Sequence, residues 1–447
     1  MSFELPFKLP TGWQVATVDE LVKQKIIAKP LDGNHGGIHP KASDYIESGV
    51  PFVMASDLAG GRVDLIDCKF ISEEQASGLR KGIAKAGDVL LSHKATIGRT
   101  AIVQDSKHDF IMLTPQVTYY RVINSSALSN IYLKAYFDSR FFQSILGLWA
   151  GAGSTRAYLG ITGQLKLPII LPPIEIQNEI SGQVHALNKK VNLNNEINQT
   201  LEEMAQAIFK SWFVDFDPVK AKMNGKQPEG MDAATASLFP EKLVESELGL
   251  IPEGWDVGTL SDVAKYCSAR TKTDTITLEN YISTENMLAE KKGVTAASKL
   301  PTAKTVAAYK SGDILVSNIR PYFKKIWLAE GSGGRSNDVL GFESVSANTE
   351  SYLMNLLYQD TFFEYMTRTS KGAKMPRGDK TAIMNWEMAV PPVELREAFS
   401  AIVDKFYQLI PQNRAQNATL ESLRDTLLPK LLSGELSLTD SLEVTNV

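Results

Sequence analysis

Residues 251–260 read IPEGWDVGTL. A Pro/Gly turn runs into a tryptophan, and a new apolar alternation starts behind it, past the midpoint of a 447-residue chain. The same opening stands at 9–18, LPTGWQVATV. Trp13 and Trp255 are 242 positions apart, and that shift also lays Pro10 on Pro252, Gly12 on Gly254, Val15 on Val257 and Leu21 on Val263. Matches at a fixed offset are the mark of an internal duplication. KAGDVLLSHKATIGRTAIV (85–103) corresponds to KSGDILVSNIRPYFKKIWL (310–328), and LPPIEIQNEISGQVHAL (171–187) to VPPVELREAFSAIVDKF (390–406) at an offset of 219. The repeat is too long for a solenoid, so the chain holds two copies of one domain.

Each copy predicts a short helix after its turn, over 18–26 and 260–266. Strands are expected at VPFVMAS (50–56), DVLLS (88–92), QVTYYRV (116–122), DILVS (313–317) and DVLGFESV (338–345), where apolar runs are bounded by Gly, Asp or Ser. An aromatic-rich helix follows in each copy, over 127–146 and 350–368, and its Phe141, Phe142, Phe362 and Phe363 read as core. Strands and helices do not alternate regularly, which predicts an α+β fold.

Behind each Pro-Pro pair the period changes to seven. Ile180, Leu187, Asn194, Leu201 and Ile208 form one series, and Val184, Val191, Asn198, Ala205 and Trp212 the other. Adding 219 gives Phe399, Phe406, Asn413, Leu420 and Leu427, with Val403, Ile410, Asn417, Arg424 and Leu431. Two apolar series at this spacing predict two long antiparallel helices in a coiled coil, each entered through a proline that needs no helical N–H. About 40 residues span roughly 60 Å. Asn194, Asn198, Asn413 and Asn417 are the candidate register residues; centring one helix on the other sets Asn194 beside Asn413, and Pro411 is expected to kink the second helix. The competing reading is two amphipathic helices, each docked on its own domain.

The expected segments are a first domain over 1–165, a long helix over 166–216, a linker over 217–250, a second domain over 251–384, a second long helix over 385–435 and an acidic tail over 436–447. SWFVDFD (211–217) is too aromatic for a plain linker and should dock on something. Net charge is −4, but 265–335 holds 12 Lys+Arg against 6 Asp+Glu. Two cysteines, no apolar run long enough to span a membrane and no signal-like start point to a cytoplasmic protein.

Catalytic signatures are missing. There is no phosphate-binding G-x-x-x-x-G-K-[ST] loop, and LPPI (171–174) and VPPV (390–393) lack the amide or acid that an amino-methyltransferase motif carries. His35 and His39 flank Gly36 and Gly37 and read as loop, so no metal is expected.

In order, the duplicated (L/I)P-x-G-W, G-D-(V/I)-L-(L/V)-S and P-P-(I/V)-E motifs and the closing LLPKLLSGEL (427–436) resemble the specificity subunit of type I restriction–modification systems, and SWFVDFDPV (211–219) resembles a stretch after the first long helix of many such subunits. The resemblance covers nearly the whole chain. It implies two target recognition domains held apart by antiparallel helices, each reading one half of a split double-stranded DNA target. It also implies two modification subunits that bind S-adenosylmethionine and methylate adenine, restriction subunits that use ATP and Mg, and no cofactor or catalytic residue on this chain. A stand-alone nuclease and a protein-interaction scaffold that reads no DNA are the alternatives.

Gly-rich loops that mix basic groups with amides supply the candidate DNA readers. In the first domain these are Asn34, His35 and Lys41; His93, Lys94, Thr96 and Arg99; and Thr155, Arg156 and Tyr158. In the second they are Asn318, Arg320, Tyr322, Lys324 and Lys325, with Lys371, Lys374, Arg377 and Lys380. The alternative for each cluster is solvated loop charge.

Overall fold

The computed structural model describes residues 7–151 and 157–436. The chain divides into two compact units, Met1–Asn194 with Ala415–Val447, and Asn195–Arg414. The division runs through both long helices rather than beside them. Each half-helix contributes buried residues to the core of its unit.

In the first unit the strand after the Gly-Trp turn, Gln14–Thr17, pairs antiparallel with Pro168–Leu171, the strand that ends at the Pro-Pro pair. Gly12 takes a φ of 84° in that turn, a conformation only glycine adopts freely. Thr17 then starts the helix Val18–Lys23 through a capping box with Glu20, which satisfies two of its orphan N–H groups. A six-stranded sheet carries Leu31–Asp32, Val117–Tyr120, Val89–Ser92, Thr100–Ile102, Arg62–Val63 and Leu58–Ala59 in that order, and a four-stranded sheet Lys69–Ile71, Val50–Val53, Ile111–Leu113 and Ile83–Ala84.

The second unit repeats the plan. Asp256–Thr259 pairs with Glu387–Val390. One sheet orders Ala264–Tyr266, Val339–Ser344, Ile314–Ser317 and Ile326–Leu328; the other orders Arg270–Lys272, Thr305–Tyr309, Gly333–Arg335 and Tyr281–Ile282. In both units the second sheet contains one parallel pair, Val50–Val53 with Ile111–Leu113 and Tyr281–Ile282 with Gly333–Arg335. The expected second short helix is instead a single 3-10 turn, Leu260–Asp262, followed by strand. Val263 and Ala264 are buried there, and Ala264–Tyr266 takes a place beside Val339–Ser344. Tertiary pairing overrides the helical pattern.

The Gly-Asp signature is a turn device. Gly87 and Gly312 both have positive φ, and the buried Asp88 and Asp313 accept the backbone N–H three residues back, from Lys85 (2.8 Å) and Lys310 (2.9 Å). Asp88 also holds Arg121 through two hydrogen bonds, 2.8 and 2.7 Å. Each aromatic helix is split in two. Asn130–Asp138 and Arg140–Ala150 meet at Ser139, whose hydroxyl caps the second; Glu350–Leu357 and Asp360–Arg368 are the other pair. Phe142 is buried in the first unit's core, with Phe141 packed against it, and Phe362 and Phe363 are buried in the second unit's core.

The long helices are Ile174–Phe213 and Val393–Ser433, the second unbroken through Pro411. Every residue of the four heptad series is buried or half-buried. In the first unit Ile180 and Val184 share a core with Leu428, Leu431 and Leu432. In the second, Ala205, Phe209 and Trp212 share one with Leu395, Phe399 and Val403. Pairing and docking on a domain are therefore one arrangement. The asparagines do not meet as centring the helices suggests: Asn194 donates to Asn417 (2.8 Å) and Gln416 (2.7 Å) within the first unit, and Asn413 donates to Asn198 (2.8 Å) within the second. In antiparallel helices this register opposes the Ile180 series to the Val403 series and the Val184 series to the Phe399 series, whereas centring opposes like to like. Arg424, the charged member of its series, donates to Asn188 at 3.1 Å.

The stretch 211–217 docks as expected. Trp212, Phe213 and Phe216 pack with Phe239, Trp255 and Phe399 in the second unit. Residues 217–250 are more ordered than a plain linker, with helices Asp217–Met223 and Ala233–Ser237 and a hairpin of Leu243–Ser246 with Gly249–Pro252. No helix among the described residues is long and apolar enough to cross a membrane. Of the acidic tail only Leu436 is described.

Candidate nucleic-acid interface

The loop that leaves each Gly-Asp strand is zipped to the loop that follows the aromatic helices. In the first unit the Ala95 N–H donates to Ala157 O (3.3 Å) and Leu159 N–H to His93 O (3.0 Å), and Lys94 bridges Tyr158, while the His93 N–H donates to Gln116 O (2.9 Å) just before Val117–Tyr120. In the second the Arg320 N–H donates to Pro376 O (2.8 Å) and Gly378 N–H to Asn318 O (3.1 Å), and Ile319 bridges Arg377, while the Asn318 N–H donates to Asp338 O (2.8 Å) just before Val339–Ser344. Ala95 and Arg320 both have positive φ, 63° and 50°. Loops 56 or more residues apart in sequence thus form one backbone frame, made twice with different side chains.

On the second frame Tyr322, Phe323 and Met375 are exposed apolar groups among Arg320, Lys374 and Arg377. Several cations there are neutralised within the unit. Arg377 pairs with Asp338 (3.1 Å), Lys371 with Asp379, and Lys324 with Asp360 (3.1 Å). Lys325 donates to Thr284 O, and partial burial lowers its ammonium pKa. Asn318 is buried, with its Oδ1 unpartnered. Arg320, Lys374 and Lys380 make no ion pair among the described residues.

On the first frame Lys94, Thr96, Arg99 and Tyr158 are exposed. Arg99 donates to the carbonyls of Ala55 (3.1 Å) and Ser56 (3.2 Å). Asn34 and His93 do not face solvent. Asn34 ties its loop to Lys81 O (2.6 Å) and Arg80 N–H (3.1 Å), an internal staple. The exposed His35 is held by the buried Asp32 at 2.8 Å, beside Lys81, and those two partners outweigh burial to lower the Asp32 pKa. Lys41 is exposed, its N–H donating to Asp44. Thr155 and Arg156 lie outside the described residues.

His93 is fully buried under Tyr158, ring centroids 5.7 Å apart, with Nδ1 at 3.1 Å from Leu159 O and Nε2 unpartnered. Burial lowers its pKa, with Asp32 pulling more weakly upward. The unfolded imidazole protonates near 6.5. It therefore takes up its proton before the folded one as pH falls, and the first unit is expected to lose stability below about pH 6.5. Denaturant melts at pH 7.5 and 5.5 should show the loss, and His93→Asn, the residue at the equivalent frame position, should remove much of it. An equal acid loss in both chains would place the cause elsewhere.

Residues 10–203 match the family model described as the type I restriction modification DNA specificity domain. Over 98% of its length the chain is 25% identical to the type I restriction enzyme MjaIX specificity subunit of Methanocaldococcus jannaschii, covering 99% of that protein. Both matches are to type I restriction–modification specificity subunits, which this chain resembles. A second such subunit, HindI of Haemophilus influenzae, is 24% identical over 87% of this chain and 94% of its own. The crystal structure of a type I S subunit from M. genitalium superposes with a TM-score of 0.50, at 12% identity, across 96% of this chain and 98% of that one; at that identity the likeness is one of fold.

Both halves of each frame are legible in the sequence, but not their union. Ala95, Ala157 and Pro376 carry it through backbone groups, which leave no compositional trace; the glycine-poor positive φ at 95 and 320 is invisible in a sequence. Among the described residues no group of three or more His, Cys, Asp or Glu could hold a metal ion.

Proposed function

We propose that this chain is a type I specificity subunit, the non-catalytic sequence reader of its complex, each unit reading one half of a bipartite double-stranded DNA target. The frame made twice carries the reading: one backbone mount offers Lys94, Thr96 and Tyr158 in one unit and Arg320, Tyr322 and Arg377 in the other. Basic and amide groups suit phosphates and base edges, phosphates setting position and edges setting sequence. Two modification subunits that bind S-adenosylmethionine would supply adenine-N6 methylation, and restriction subunits using ATP and Mg would supply cleavage, in the cytoplasm.

The test is DNA binding by the purified full chain across a salt series, together with assays for methyl transfer and cutting. Affinity should fall as salt rises, with a log–log slope of about −0.9 per phosphate contacted, and the chain alone should neither methylate nor cut. Absence of salt-dependent binding would favour the scaffold reading, and turnover by the isolated chain the nuclease reading.

A further inference from the structure

Within the duplicated frame one position is strained in both units. Ala95 and Arg320 sit at φ 63° and 50°, the left-handed region that disfavours any residue with a Cβ. Glycine would close the same turn without that strain, and neither unit uses it. Strain kept at equivalent positions is a pointer to function, because the surroundings must hold it in place. The N–H of each residue is tied to the facing loop, to Ala157 O and Pro376 O, and residues 93 and 318 are tied to that loop as well. The two positions thus share a left-handed φ and a backbone tie to the facing loop, and the side-chain group that each carries differs.

In the first unit that group is a methyl. In the second it is a guanidinium with unusual freedom. Arg377, Lys371 and Lys324 nearby each hold a carboxylate, whereas Arg320 holds none among the described residues and its Nε is buried without a partner. The guanidinium carbon lies 6.0 Å from the ring centre of the exposed Phe323, which limits the directions the fork can take. A planar fork of N–H donors, uncommitted and restrained, matches the paired O6 and N7 acceptors of guanine in the major groove.

The geometry points to Arg320 as the residue that reads a guanine in the half-site of the second unit, with position 95 its silent counterpart in the first. The assignment rests on the DNA-reading function proposed above. It makes Arg320 a specificity residue rather than one more phosphate ligand, and it makes the left-handed position a place where one substitution adds or deletes a base from the address.

The experiment selects bound sequences from a randomised double-stranded DNA library, using the full chain with its partner subunits. Arg320→Ala is expected to make one G·C position of one half-site degenerate, with discrimination there falling roughly 10- to 100-fold and the other half-site unchanged. Arg320→Lys keeps the charge and should keep most of the affinity while losing part of that discrimination, which guards against a folding artefact. Ala95→Arg should add a guanine preference to the other half-site; an unchanged half-site there overturns the equivalence of the two positions. Uniform weakening of all sequences by Arg320→Ala, with a salt slope shallower by about one, makes Arg320 a phosphate ligand and sinks the assignment. A wild-type complex that selects no bipartite motif removes the DNA-reading function itself, a result distinct from either.

Discussion

Phe209→Ala is expected to destabilise the second unit by about 3–5 kcal/mol, the range for removing a buried aromatic ring. Phe209 comes from the first long helix, yet its ring lies 5.1 Å from Phe213, 5.7 Å from Tyr352 and 5.7 Å from Phe399, and only 2% of the residue is exposed. Those neighbours come from three separate stretches of the unit, so the cavity cannot close by a local shift. Denaturant unfolding followed by hydrogen exchange should show amides of Ile314–Ser317 and Val339–Ser344 losing protection while those of Val89–Ser92 keep theirs. A loss below 1 kcal/mol would mean that the helix is a detachable spacer and not part of the domain core.

The second large effect is expected at Asp88. Removing its carboxylate by Asp88→Ala strands Arg121 and the N–H of Lys85, and breaking a buried ion pair from one side costs about 3–5 kcal/mol. Arg121 keeps 33% of its side chain in water, so the loss should be smaller, about 2–3 kcal/mol. Asp313→Ala is the internal comparison. It frees an equivalent backbone N–H, but no arginine hydrogen-bonds Asp313 among the described residues; Lys310 stands 3.6 Å away and already holds Glu343 at 2.6 Å. Melting temperatures of the two variants should therefore fall unequally, with Asp88→Ala the lower. Equal losses would show that the turn alone, and not the guanidinium, explains the conservation of form between the two units.

Much of the architecture was legible because the duplication states it twice. Trp13 and Trp255, the two Gly-Asp strands and the Pro-Pro pairs locate the same parts in each unit, and a seven-residue apolar period identifies helices of this length without further help. The register of those helices was not legible from their ends, because packing opposes one heptad series to the other and disregards the midpoint. Ser139 breaks the first aromatic helix, and only its capping bond to the Phe142 N–H reveals why. The candidate interface was half legible. Charged loops announce themselves by composition, but charge does not say which lysines are already spent on Asp360 and Asp379, nor that Asn34 and His93 point inward. Those facts depend on which loops meet, and they meet through backbone groups that every residue shares.

The frame built twice also bears on descent. The hydrogen bonds that fix it join carbonyl and N–H groups, so they are indifferent to the side chains mounted on them. A gene conversion that copied residues 93–99 together with 157–158 from one lineage into another, or from one half of the gene into the other half, would carry the mount intact. Mutation can likewise sample Ala95, Lys94 or Tyr158 without unpicking the strands beneath. Selection for a new address can then work on a handful of codons, while the tens of buried positions that keep each unit folded stay under purifying pressure. The mount and the address can therefore change separately, because the bonds of one do not depend on the side chains of the other.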